Sequence, residues 1–367
     1  MILNKSMKMK KQLASSLAIA FLTLAVWSCN QSDPAPKGDY VSGVFVMNEG
    51  NFTNNNGGIS YFARENNTAT ADIFAAANGT VLKGGVQDYT ASEQQGIILV
   101  DNSTAGQDKV QFVERYTFKD EGTIGAPDIE NPREVIIVGR KAYVSCWGTN
   151  SDLKYTTGYI AVIDLTTKKV TKKINVADGP ENLAYANGKL YVGTTLWGAG
   201  NKLAIININS DEATSPITTS GAANPVGIDA NGKLWVNVGD KMLRINTETN
   251  VTEATLAIAT EGTKTPGNFT FSNDLKSIFF VLSWYDSAGK EHGGTYKFSI
   301  TDTQIAMVTP LIPRPFYGLA VDPTQGLLYA GVSPSYTQAG YAVRYRADGS
   351  LVDSVKVGIA PSGFFFQ

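Results

Sequence analysis

The 367-residue chain has one histidine and two cysteines. That scarcity excludes a disulfide scaffold, a multi-cysteine zinc site and any mechanism that needs a pair of histidines. Charge is sparse too. Charged residues make up 17% of the chain and the formal net charge is −2, so nothing calls for a nucleic-acid partner. Beyond the first 28 residues no apolar run reaches the roughly 18 residues that a spanning helix needs. A Gly-rich phosphate loop, a nucleophile elbow and EF-hand spacing are absent as well. What is there is 43% hydrophobic, with 36 Gly and 14 Pro, enough for a full core and too apolar for a disordered chain.

The small net charge conceals an asymmetry. Residues 1–28 hold Lys5, Lys8, Lys10 and Lys11 and no acid, which leaves 27 basic against 33 acidic residues and −6 for the remainder. The basic start runs into an apolar stretch, Leu13 to Val26, and then into Val26-Trp27-Ser28-Cys29, the order of parts in a secretory signal. Met7 supplies an alternative start with its own basic region. A small residue directly before a cysteine resembles a bacterial lipobox, and that resemblance implies cleavage before Cys29 with lipid attached to it. Residues 29–41 are polar and carry Pro34 and Pro36, as a flexible tether does. The expected order is a signal peptide at 1–28, a lipidated tether at 29–41 and one domain at 42–367.

Within 42–367 no helical periodicity stands out. Short alternating runs are punctuated by Gly, Asn-Gly and Asp turns, the pattern of strands and hairpins. The runs repeat. Asn131-Pro132-Arg133-Glu134-Val135, Gly179-Pro180-Glu181-Asn182-Leu183 and Asn224-Pro225-Val226-Gly227-Ile228 align with one another. Thr265-Pro266-Gly267-Asn268-Phe269, Arg314-Pro315-Phe316-Tyr317-Gly318 and Ala360-Pro361-Ser362-Gly363-Phe364 continue the series, and the prolines fall 48, 45, 41, 49 and 46 residues apart. Val86-Gln87-Asp88-Tyr89 has the same context without the proline. After each motif come a tight turn, a more apolar strand such as Leu190-Tyr191-Val192-Gly193, and two further strands around a polar hairpin. Four antiparallel strands per unit of about 45 residues make a propeller blade. The count predicts an all-β, seven-bladed β-propeller, whose C-terminal strand closes the ring by joining the N-terminal blade and so leaves no open sheet edge.

In such a blade the loop after the second strand and the start of the next innermost strand lie on one face. This register gathers Glu49, Asn51, Phe52, Asn102, Trp147, Trp197, Trp284, Tyr285 and Tyr336 from the loops. The motifs add Asp88, Tyr89, Arg133, Glu134, Glu181, Asn182, Phe316 and Tyr317. Aromatics at a funnel mouth suit a large, partly apolar, planar ligand, with amides and charged groups fixing its orientation. Trp235 lies inside a strand and reads as core. His292, in a run expected to be an exposed loop, has no histidine partner and reads as a surface residue, and Cys146 reads as a buried small hydrophobe. The residues thus predict a binding protein with no catalytic residue, no resident cofactor and no structural metal. An enzymatic alternative would use Glu49, Asn102, Glu134 and Asn182 as oxygen ligands for Ca²⁺, as in propeller lactonases.

The run Val44-Phe45-Val46-Met47-Asn48-Glu49-Gly50-Asn51-Phe52, the strand Gly58-Ile59-Ser60-Tyr61, the Pro-motif blades and the lipobox resemble the YncE-like surface lipoprotein propellers of Bacteroidota. Among these the chain is most similar to the cobalamin-binding BtuG family. The resemblance implies a lipid-anchored protein on the outer surface of the outer membrane. It would bind cobalamin (vitamin B12) or a related corrinoid as its transported ligand and deliver it to a BtuB-like, TonB-dependent transporter. The contact surface would come from Phe52, Tyr89, Trp147, Trp197, Trp284, Tyr285, Phe316, Tyr317 and Tyr336. Glu49, Asn51, Asn102, Arg133 and Asn182 would orient the amides and the phosphate. A glycan-binding propeller that stacks sugars on the same aromatics is the alternative.

Overall fold

A computed structural model of the chain describes residues 37–149, 157–176, 179–194, 200–260, 264–306 and 309–367. Seven antiparallel sheets are arranged as blades around a central channel. The innermost strands are Gly85–Ala91, Pro132–Val138, Pro180–Ala186, Ala223–Ile228, Thr265–Phe271, Gly318–Val321 and Pro361–Phe366. Each packs on the next, and Pro361–Phe366 packs on both Gly318–Val321 and Gly85–Ala91, so the circle closes. We number the blades from the one that contains Val44–Asn48, so that Pro361–Phe366 is the innermost strand of blade 1.

Blade position dictates composition. The second strand of each blade lies between neighbouring blades and is buried on both faces, as in Lys189–Thr194 and Val44–Asn48. It therefore reads as a continuous apolar run. The outermost strands face water, and Glu212–Thr218 is exposed along almost its whole length. Seven hydrophobic clusters fill the seven spaces between blades. Trp235 is fully buried in the cluster between blades 5 and 6, and its Nε1 donates to Asp229 Oδ2 at 2.8 Å.

Closure works as the sequence indicated. Val44, Phe45 and Val46 pair with Phe366, Phe365 and Phe364, and Gly43 and Gln367 exchange backbone hydrogen bonds at 3.0 Å. Arg115 Nε donates to Gln367 Oε1 at 2.9 Å, while Arg64 bonds the Gln367 carbonyl and forms a buried 2.6 Å ion pair with Asp322. Tyr40 is also part of the packed ring, edge-on to Tyr61 and Phe118.

Two departures from the expected pattern bear on the site. In blades 1 and 6 the fourth strand is reduced to single bridges, Tyr61 to Thr70 and Thr295 to Ile312. Blade 6 instead lengthens its middle hairpin, with nine residues each in Ser277–Tyr285 and Glu291–Ser299. His292 therefore lies in a strand, cross-strand from Trp284, and not in the loop expected for it. A six-residue helix, Ile73–Asn78, also interrupts the all-strand pattern of blade 1. Asp72 caps its N-terminus and Gly79 its C-terminus. Six residues are too few for a helical period to show in the sequence.

Candidate functional site

Five of the six Pro motifs sit at a break in pairing register, and the one at Pro315 precedes its strand. The ladder shifts between Pro132 and Val135, between Pro180 and Leu183, and between Val86 and Asp88. Proline is tolerated there because an innermost strand leaves one edge unpaired. The bulge re-aims the residues that follow, and Arg133, Glu134, Glu181 and Asn182 thereby line a central cavity of about 1380 Å³.

The residues after the motifs also stitch the blades together. Asp88 of blade 2 accepts from the backbone N–H of Val135 in blade 3 at 2.9 Å. Glu134 of blade 3 accepts from the Asn182 amide of blade 4 at 2.9 Å. Arg133 is held most closely. Its Nε donates to Glu181 Oε1 at 3.1 Å, its guanidinium lies 4.2 Å from the Trp147 ring centre, and Trp147 Nε1 donates to Glu181 Oε2 at 2.7 Å. Asp101 stands behind it at 3.7 Å. Burial works against the charge on Arg133, but Glu181, Asp101 and Glu49 outweigh it and hold the pKa above the ordinary value.

The carboxyls shift the other way. Desolvation pushes Asp88 up to about 6 against the two backbone N–H groups that oppose the shift. It pushes Asp101 up to about 7, partly offset by Arg133 and reinforced by the neighbouring Asp108. Glu134 is raised by burial and by the nearby charge of Asp88. This wall is polar and crowded with acid, and Arg133 is the cation among these groups.

Across the cavity, blades 6 and 7 present tyrosines. Tyr285 and Tyr336 line the mouth and are 64% and 54% exposed. Tyr317, edge-on to Tyr336 at 5.9 Å, donates its hydroxyl to Glu49 Oε2 and so joins blade 7 to blade 1. Burial and Glu49 raise the Tyr317 pKa. Val226, Phe269, Leu319 and Phe364 add apolar lining, and Lys290, Glu291 and Arg314 add charge on the blade 6 and 7 side.

The structure brings together Glu49, Arg133, Asn182, Tyr285, Phe316, Tyr317 and Tyr336 as cavity-lining residues. Phe316 is nearly buried and packs against Tyr345. Trp147 reaches the site through Arg133 and Glu181. Other expected residues lie elsewhere. Tyr89 is buried in the core against Phe45, Phe118 and Phe365. Asn102 is a turn residue, its amide donating to Lys83 O and its carbonyl accepting from Thr104 N. Asn51 caps the short 3₁₀ turn at Phe52–Asn54, where Phe52 is 62% exposed.

Trp284 is placed by strand parity, because successive side chains alternate across a strand. Tyr285 and its partner Glu291 face the cavity. Trp284 and its partner His292 stack on the other side of the hairpin at 5.8 Å, and His292 Nε2 lies 2.8 Å from Asp286 Oδ2. Trp197 and Cys29 lie outside the described residues. Cys146 is fully buried, and burial pushes its thiol up to about 12.

Of the four residues of the Ca²⁺ alternative, Glu49, Glu134 and Asn182 line the cavity, while Asn102 is held in its turn. Among the described residues no group of three or more His, Cys, Asp or Glu side chains is arranged to hold a metal. Asp88, Glu134 and Glu181, which the motif register placed on the funnel face without a ligand contact, line the cavity, and so do Gln87, Lys290, Glu291 and Arg314. All of these except Lys290 and Glu291 occupy motif positions, so the repeat register marks them. Lys290 and Glu291 depend on the length of the blade 6 hairpin, which nothing local in the sequence announces.

Solved structures with a similar backbone confirm the architecture. A quinoprotein alcohol dehydrogenase-like protein from Bacteroides thetaiotaomicron VPI-5482 is 18% identical with a TM-score of 0.62, covering 89% of this chain and 78% of its own. A functionally unknown protein from Desulfotomaculum acetoxidans DSM 771 is 13% identical with a TM-score of 0.56, over 89% and 98% of the two chains. Hydrazine synthase from Kuenenia stuttgartiensis is 17% identical with a TM-score of 0.52, over 72% and 85%. Two of these names denote enzyme chemistry, so the fold alone does not separate catalyst from binder. No curated protein matches the chain. The profile of the domain family described as "Domain of unknown function (DUF5074)" matches residues 42–367, and the chain belongs to that family.

Proposed function

We propose that the protein is a lipid-anchored surface protein of the outer membrane that captures cobalamin or a related corrinoid in the propeller funnel and passes it to a TonB-dependent transporter. The observation that carries this reading is the two-sided cavity of about 1380 Å³, with hydrogen-bonding groups on one wall and exposed tyrosines on the other. A corrinoid combines a large flat ring and a benzimidazole with a fringe of amides, and each wall matches one of these parts. The lipobox-like Ser28-Cys29 supports the anchor. The likeness to surface propellers that hand cobalamin to a BtuB-like transporter supports the partner.

Titration calorimetry and thermal shift with cyanocobalamin test the reading. Saturable heat and a raised melting temperature are expected. Absence of both, with heat or a thermal shift from a neutral glycan panel, would replace the corrinoid by a sugar stacked on Tyr285 and Tyr336.

A further inference from the structure

The polar wall has a chemistry more specific than its charge. Acceptors and donors stand side by side on it: the carboxyls of Asp88, Glu134 and Glu181 line the cavity with the guanidinium of Arg133 and the amides of Gln87 and Asn182, and Arg133–Glu181 and Asn182–Glu134 are bonded pairs. A group that meets both kinds at once must donate and accept from adjacent atoms. A carboxylate only accepts and an ammonium only donates, whereas a carboxamide does both.

On this wall Arg133 is the cation that would otherwise attract an acid, Lys290 and Arg314 lying on the blade 6 and 7 side, and the structure has already committed it. Glu181 takes its Nε, Trp147 covers one face at 4.2 Å, and Asp101 lies 3.7 Å from Nη1. An entering carboxylate would find this guanidinium neutralised and would meet further carboxyls around it. An entering carboxamide can accept from the free edge of Arg133 or from Asn182 and donate to a neighbouring carboxylate.

We infer that the blade 2–4 wall of the funnel is a carboxamide reader that rejects the corresponding carboxylic acids, with Glu181 as the residue that sets this preference by neutralising Arg133. The inference rests on the corrinoid reading for its natural ligand, although the amide-over-acid preference itself does not require a corrinoid. Loss of a paired donor together with like-charge contact at a desolvated site is worth about ten- to hundred-fold in affinity.

The experiment compares cyanocobalamin with its set of monocarboxylic acids, each with one ring amide hydrolysed, by calorimetry at pH 7.5. Acids whose altered group meets this wall are expected to bind at least ten-fold more weakly, and those altered on the tyrosine side within about two-fold of the parent. The substitution Glu181→Gln frees the Arg133 charge and is expected to narrow the amide-to-acid ratio, a change that mere loosening of the fold would not produce. A melting curve for E181Q checks its folding. If every acid binds as well as cyanocobalamin, or better, the inference is overturned while the corrinoid reading stands.

If no corrinoid binds, the corrinoid reading fails and the same preference is read on N-acetylated against uronic-acid oligosaccharides. N-acetylated binders alone would support the amide reader. Binding of the uronates, or of neither class, overturns it.

Discussion

Blades 2–4 put Asp88, Arg133, Glu134, Glu181 and Asn182 into the funnel with their polar atoms already engaged by neighbours. Blades 6 and 7 put Tyr285 and Tyr336 into the same funnel with most of their surface free. The first wall carries the contacts between adjacent blades as well as the cavity lining, so it is coupled to the stability of the ring. The second projects from a hairpin and a loop beyond the blade core and is uncoupled from it. A change on one side should therefore alter folding and binding together, whereas a change on the other should alter binding alone.

The largest effect is expected from Arg133→Met. It leaves Glu181 and Asp101 without their cation, and removing one partner of a partly buried ion pair costs about 1–3 kcal/mol, below the range for a fully buried one. Denaturant unfolding should show that loss, and calorimetry should show ligand binding abolished or reduced by more than a hundred-fold. A variant that unfolds like the parent would mean that the wall is not coupled to the ring.

The raised carboxyls give the second test. Asp88 titrates near 6 and Asp101 near 7 in the folded state, against ordinary values near 3.8. A folded-state pKa above the unfolded one means that the protonated form is the favoured one in the fold. The contribution is complete below about pH 4 and is lost as pH rises through 6 to 7. At about 1.4 kcal/mol per pKa unit, discounted for water in the funnel, the loss is on the order of 2–3 kcal/mol between pH 4.5 and 8. Unfolding free energy measured across that range should fall accordingly, and Asp101→Asn should flatten the curve. A profile that rises towards pH 8 would contradict the desolvation of this wall.

The two walls also differ in how far the sequence exposes them. The motif spacing gave the blades, the closure by Gly363-Phe364-Phe365-Phe366 and the funnel register of Arg133 and Asn182, because repeat position is a long-range constraint written locally. Asp88, Glu134 and Glu181 share that register, and only their pairing needed coordinates. On the other side the register misleads. Trp284 and Tyr285 are adjacent, and which of them enters the cavity depends on how far the blade 6 hairpin continues as strand. Tyr89 sits at a motif position yet points into the core, because the bulge after Val86 turns Asp88 towards the channel and Tyr89 away from it. The sequence marks the motif but neither the bulge within it nor the way each side chain leaves that bulge.

Tyr285→Ala and Tyr336→Ala test the uncoupled wall. Each removes an exposed ring that makes few contacts within the fold, so unfolding free energy should stay within about 0.5 kcal/mol of the parent. Each ring lost from a ligand-facing surface should weaken binding by about 1–2 kcal/mol, roughly five- to thirty-fold by calorimetry. Unchanged affinity in both variants would remove the tyrosine wall from the site.

The smallest effect is expected from Trp284→Phe, which separates register from geometry. By motif spacing Trp147 and Trp284 are both expected just after the second strand of their blades, so the sequence treats them alike. In the structure Trp147 covers Arg133 and anchors Glu181, whereas Trp284 stacks on His292 on the side of the hairpin that faces away from the cavity. Phenylalanine keeps an aromatic face in both positions but loses the indole N–H. At Trp147 the loss removes the bond to Glu181 Oε2, worth about 1.5–3 kcal/mol within the fold, and because it acts on ligand only through Arg133 it should weaken binding several-fold. At Trp284 affinity should stay within about two-fold of the parent by the energetic scale of uninvolved surface positions. Equal losses in the two variants would mean that the back of the hairpin also touches ligand, and that the binding surface extends over the rim instead of ending at the funnel mouth.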